Sequence, residues 1–155
     1  MEIRRAEEKD IPGLAKLLRQ VLEIHHAGRP DLFRGGVRKY TDSQLAQILS
    51  DDKRPVFAAF SDGKLAGYAF CVMKESVGDN ILTDMKSLYI DDLCVDEAER
   101  GKHIGKALYD HVIAFAKKEG CYNVTLNVWT CNEGAMKFYE SMNMSPQKIC
   151  METIL

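Results

Sequence analysis

The sequence predicts a mixed α/β fold in a single domain of residues 1–155, and two observations carry that expectation. Two apolar runs, Val56–Phe60 and Leu65–Met73, are joined by Ser61-Asp62-Gly63-Lys64, a hairpin signal that pairs them antiparallel. Further on, the strand-like run Ser87–Val95 passes through a basic, glycine-bearing loop into the amphipathic stretch Ile104–Lys118. A strand-like run at Asn123–Val128 follows. An antiparallel hairpin leading into a strand–helix–strand unit defines a mixed sheet with helices packed on it.

The remaining elements follow in chain order. Glu2–Arg5 reads as a short strand. Asp10 as N-cap and Pro12 in the first turn open a helix whose stripe is Ile11, Leu14, Leu17, Leu18, Val21 and Leu22. That helix fades at His25-His26-Ala27-Gly28-Arg29-Pro30, because glycine ends helices and proline does not continue them. Asp31–Lys39 reads as irregular. Thr41 with Gln44 has the spacing of a capping box for a short helix through Leu49. Glu75–Lys86 is polar and reads as a loop. Asn132–Met142 reads as the last helix and Ile149–Leu155 as a final strand.

Composition narrows the function. Apolar residues make up 46% and charged residues 28%, ordinary values for a globular protein. A net charge of −2 argues against nucleic acid as partner, since phosphate backbones select strongly basic surfaces. No apolar run reaches the length of a membrane span, and the N-terminus lacks the apolar core of a secretion signal. The five cysteines are odd in number and never spaced C-x-x-C, so neither a disulfide framework nor a zinc site is expected. They read as small buried hydrophobes, and a cytoplasmic location fits free thiols.

Leu88–Lys106, L-Y-I-D-D-L-C-V-D-E-A-E-R-G-K-H-I-G-K, carries the chemistry. A strand, an acidic turn and a basic loop lead straight into a helix, whose N-terminal N–H groups and dipole suit an anion such as a pyrophosphate. Neither G-x-x-x-x-G-K-[ST] nor G-x-G-x-x-G is present, so P-loop and dinucleotide sites are disfavoured. Asp91 and Asp92 stand just before the loop, either as exposed strand-end carboxylates or as a site for a cation. In N-E-G-A-M-K-F-Y, Asn132, Ala135 and Tyr139 share one helical stripe. Asn132 suits an N-cap, and Tyr139 reads either as packing or as a group aimed at a ligand.

Together, R-G-K-H-I-G-K-A after a strand and N-x-x-A-x-x-F-Y some thirty residues later resemble the GNAT N-acetyltransferase superfamily. The loop pattern Q/R-x-x-G-x-G/A is met by Arg100 and Gly105, with His103 at the usual first glycine. The resemblance implies a mostly antiparallel sheet with a splayed cofactor-binding strand pair and four helices. It also implies acetyl-CoA as cosubstrate and no metal. Backbone groups of Leu93, Cys94 and Val95 would pair with the pantetheine arm. Gly101, Lys102, His103, Ile104, Gly105 and Lys106 would hold the pyrophosphate, with Arg100 adding charge. Asn132 would touch the cofactor, and Tyr139 would approach the sulfur.

The I-D-D-L-C-V segment resembles the I-E-D-x-x-V of polyamine and other small-amine acetyltransferases, whereas Asn127 stands where peptide acetyltransferases often carry a glutamate. Two adjacent carboxylates would attract a cationic amine and raise each other's pKa, so one could act as base. Tyr139 would protonate the departing thiolate, and an N–H near Leu93–Cys94 would meet the oxyanion. His26 and Asp31 are further candidates for the acceptor pocket. The expected reaction is acetyl transfer to a primary amine of a small polyamine, diamine or amino sugar. Protein acceptors, or a CoA-binding module without turnover, are the alternatives. A homodimer through the last strand is compatible with the superfamily.

Overall fold

The computed structural model describes residues 1–155. It contains β1 (Glu2–Arg5), α1 (Ile11–Gly28), α2 (Asp42–Leu49), β2 (Val56–Ser61), β3 (Lys64–Ser76), β4 (Met85–Val95), α3 (Ile104–Lys118), β5 (Asn123–Leu126) and α4 (Glu133–Ser141). The strands form one sheet in the order β1-β2-β3-β4-β5, antiparallel except for the parallel β4–β5 pair. The hairpin turn forms as expected. Asp62 and Gly63 both take positive φ, 49° and 73°, the conformation whose twist matches that of the flanking strands.

Strand alternation splits the core between the two faces of the sheet. Leu14, Leu17 and Leu18 of α1 and Leu45 and Ile48 of α2 pack against Val56, Ala58, Tyr68, Phe70 and Cys94. On the other face Leu108, Val112 and Ala116 of α3 cover Phe57, Ala59, Ala69, Cys71, Leu88 and Ile90. Helix α2 opens on the capping box read from the sequence: Thr41 Oγ1 accepts from the Gln44 N–H, and Gln44 Oε1 from the Thr41 N–H.

Four expectations are corrected. Ile149–Leu155 is not a strand, so its role as a dimer contact loses its basis. Ile149, Met151, Ile154 and Leu155 are exposed, and Glu152 is drawn to Arg29 at the end of α1. No sheet edge is paired with the segment, and alternation without a ladder makes no strand. Asp10 has helical backbone angles, and its side chain does not cap α1. Its buried carboxylate instead takes two bonds from Arg4 and one from the Glu7 N–H, satisfaction that a buried charge requires. The loop between β3 and β4 is shorter than expected because the ladder runs out to Ser76 and Met85. Of the cysteines only Cys71 and Cys94 are buried, while Cys131 and Cys150 are exposed.

Candidate active site

The site begins where the sheet opens. β4 pairs with β5 only over Ser87–Ile90, and β5 ends at Leu126. From Asp91 to Val95, β4 therefore keeps β3 on one edge and no strand on the other. The Asp96 N–H donates to Ala66 of β3. Amides alternate along an antiparallel strand, so the Cys94 N–H also faces β3, while those of Leu93 and Val95 face the open side. Leu93 and Val95 thus have main-chain groups free toward the open side, and Cys94 does not.

A bulge at the same point decides where the carboxylates go. The ladder pairs Cys71 with Ile90 but Phe70 with Asp92, leaving Asp91 as the extra residue. Regular alternation would send neighbouring side chains to opposite faces; the inserted residue resets the phase. Both carboxylates consequently lie on the α1/α2 face, each met by a tyrosine. The Tyr40 hydroxyl donates to Asp91 at 2.6 Å, and the buried Tyr68 hydroxyl donates to Asp92 at 2.9 Å. Phe70 sits between these two tyrosine rings, at centroid distances of 5.8 and 4.9 Å.

The two aspartates differ in charge state. Burial opposes ionisation of Asp91, yet bonds from Lys39 (2.8 Å) and Tyr40 outweigh it and hold the carboxyl below its ordinary range. Burial pushes Asp92 up to about 6, against the lowering bond from Tyr68, with the Asp91 charge adding a smaller upward push. The expectation that each carboxylate raises the other therefore holds for Asp92 only, because Lys39 neutralises Asp91.

Beyond Val95 the chain turns through Glu97–Glu99 into the loop. Gly101 and His103 take positive φ, 79° and 61°. Histidine thus adopts the left-handed conformation that glycine would take freely. The first bond of α3 runs from the Ala107 N–H to the His103 carbonyl, and no N–H from Gly101 to Lys106 donates within the protein. Six consecutive donors at a helix N-terminus fit a diphosphate. Lys102 and Lys106 are engaged with Glu99 and Asp110, so Arg100 is the loop cation without an acidic partner. Asp96, buried, accepts from Lys16 (2.6 Å) and Gln20 of α1 and ties the start of this loop to that helix.

Helix α4 closes the site. Asn132 Oδ1 accepts from the Ala135 N–H, its N-cap role. Gly105 serves close packing: a Cβ there would stand 3.3 Å from the Phe138 ring. With Phe138 turned into the core, its neighbour Tyr139 is half-buried. Burial, and secondly the charge of Asp92, raise the Tyr139 hydroxyl well above its ordinary pKa, so it is a proton donor at neutral pH.

The remaining acceptor candidates are engaged elsewhere. Asp31 accepts from Nε and Nη2 of Arg29, and His26 Nδ1 meets the Phe33 carbonyl at 2.6 Å. The sequence reading missed Lys39, Tyr40 and Tyr68. Only Tyr68 had a signal, since a hydroxyl within an apolar strand needs a partner.

An open strand edge running toward a helix N-terminus with six unengaged N–H groups is an arrangement suited to one class of protein, the CoA-dependent acyltransferases. Residues 18–144 match the acetyltransferase (GNAT) family, and the chain belongs to it. A mutant of the BH1408 protein from Bacillus halodurans is 31% identical with a TM-score of 0.96, covering 100% of this chain and 99% of that one. The glucosamine 6-phosphate N-acetyltransferase of Arabidopsis thaliana is 27% identical over 74% of this chain and 68% of its own length. A probable glucosamine 6-phosphate N-acetyltransferase of Drosophila melanogaster is 28% identical over 64% of this chain. The match spans 51% of that relative's length.

Proposed function

We propose that the protein transfers the acetyl group of acetyl-CoA to a primary amine of a small molecule by direct attack. The observation that carries this reading is the row of unused main-chain donors at the start of α3 and on the open edge of β4, the strand that bears Asp92. Gly101–Lys106 offer six N–H groups for the diphosphate, and Leu93 and Val95 face the open edge beyond them. When bound, acetyl-CoA supplies an electrophilic thioester carbonyl. Asp92, ionised above about 6, takes the proton that frees the amine lone pair. The Leu93 N–H is placed to meet charge building on the carbonyl oxygen. The Tyr139 hydroxyl, kept protonated by burial, donates to the leaving sulfur.

For the acceptor, the range expected from sequence is polyamines, diamines and amino sugars, and the names of the Arabidopsis and Drosophila relatives support an amino sugar. The test is thiol release from acetyl-CoA against a panel of amines and peptides. Amine-dependent release supports the reading. Release with peptides alone would transfer it to protein acceptors. CoA uptake with no release would leave a binding module.

A further inference from the structure

Lys39 is the residue that neither the family patterns nor the proposed chemistry accounts for. It lies at the end of the irregular segment between α1 and α2, yet its ammonium reaches β4 and stands 2.8 Å from Asp91 Oδ2. Its side chain is 40% exposed and that of Asp91 20%, so the pair is reachable from solvent rather than sealed in the core. The same Asp91 oxygen takes the Tyr40 hydroxyl at 2.6 Å. Asp91 Oδ2 therefore takes donors from two consecutive residues, one of them a cation, whereas Asp92, its neighbour on the same face, takes the uncharged Tyr68 hydroxyl. A lysine ammonium is chemically the same group as the terminus of a linear diamine.

We propose that Lys39 determines acceptor selectivity by filling, from within the chain, the position at Asp91 that a second substrate ammonium would occupy. The inference rests on the acetyl-transfer reading above and narrows it. The acceptor class becomes amines carrying one cationic group, such as amino sugars, and excludes diamines and polyamines. Arg54, whose charge also acts on Asp91, adds to the repulsion a second ammonium would meet. The Lys39 ammonium also stands over the Tyr40 ring, with Nζ 5.4 Å from its centroid, an attraction that holds it near this site.

The test compares 1,4-diaminobutane with 4-aminobutan-1-ol, equal in length and different only in the second charge. In the native enzyme the amino alcohol has the lower KM. In Lys39→Met the diamine-to-amino-alcohol KM ratio falls about fivefold, the scale of one partly exposed ion pair. Lys39→Arg keeps the native ratio, and adding Asp91→Asn to Lys39→Met cancels the gain, which a merely structural role for Lys39 would not produce. A ratio unchanged in Lys39→Met, or a native enzyme that already favours the diamine, overturns the proposal. Calorimetric titration of both amines into the CoA-bound protein reads the same ratio without turnover. A protein that binds amines with this selectivity but releases no thiol would sink the catalytic reading while leaving Lys39's role standing.

Discussion

At the scale of single residues, the proposed chemistry assigns opposed tasks to one carboxyl and one phenol. Asp92 must be ionised to accept a proton, so kcat/KM rises with pH through about 6 and levels above it. Asp92→Asn is expected to abolish that acidic limb and to lower kcat/KM by about 10²–10⁴, the usual contribution of a positioned base. A retained limb in the variant would assign the base elsewhere. Tyr139→Phe removes a proton donor while keeping the ring that packs edge-on to Phe138. Turnover should therefore fall far more than CoA affinity, and equal turnover in the variant would remove the residue from the chemistry. Both residue types were legible as candidates in the sequence. Which aspartate could serve as base was not, because it follows from Lys39 pairing with Asp91 and from burial raising Asp92 to about 6.

At the scale of elements, the loop into α3 and the bulge in β4 do the positioning. The loop was legible: a glycine and bases before an amphipathic stretch mark a helix N-terminus that can hold an anion. His103 completes it in the left-handed region, a conformation costing about 1 kcal/mol for a residue with a Cβ. His103→Gly relieves that strain and is expected to lower the acetyl-CoA dissociation constant, as calorimetry can measure; weaker binding by the glycine variant would refute the argument. The bulge was illegible. I-D-D-L-C-V alternates like any strand, and only the ladder against β3 shows that Asp91 is inserted. The final strand failed for the converse reason: Ile149–Leu155 has a strand's composition but no paired neighbour.

At the scale of the molecule, one sheet holds two cores on its two faces, and the edge proposed for the cofactor lies where β4 and β5 part. A ligand reaching from the α3 N-terminus along β4 to α4 would bridge elements that are otherwise joined mainly through the sheet. Acetyl-CoA at a hundredfold excess over its dissociation constant should stabilise the fold by about 2.7 kcal/mol. The thermal midpoint would rise by several degrees, in proportion to the logarithm of ligand concentration. No shift at millimolar cofactor would count against the cleft as its site.

The sequence by itself determined the helices, the hairpin, the glycine-bearing loop into α3 and the stripe bearing Asn132 and Tyr139, because each is set by local periodicity and capping. The tertiary structure alone decided which face received Asp91 and Asp92, which of them kept its proton to higher pH, and which amides faced the open edge. These depend on strand register and on partners as distant in the chain as Lys39 and Asp91, and pairing between remote segments leaves no trace in the spacing of either one.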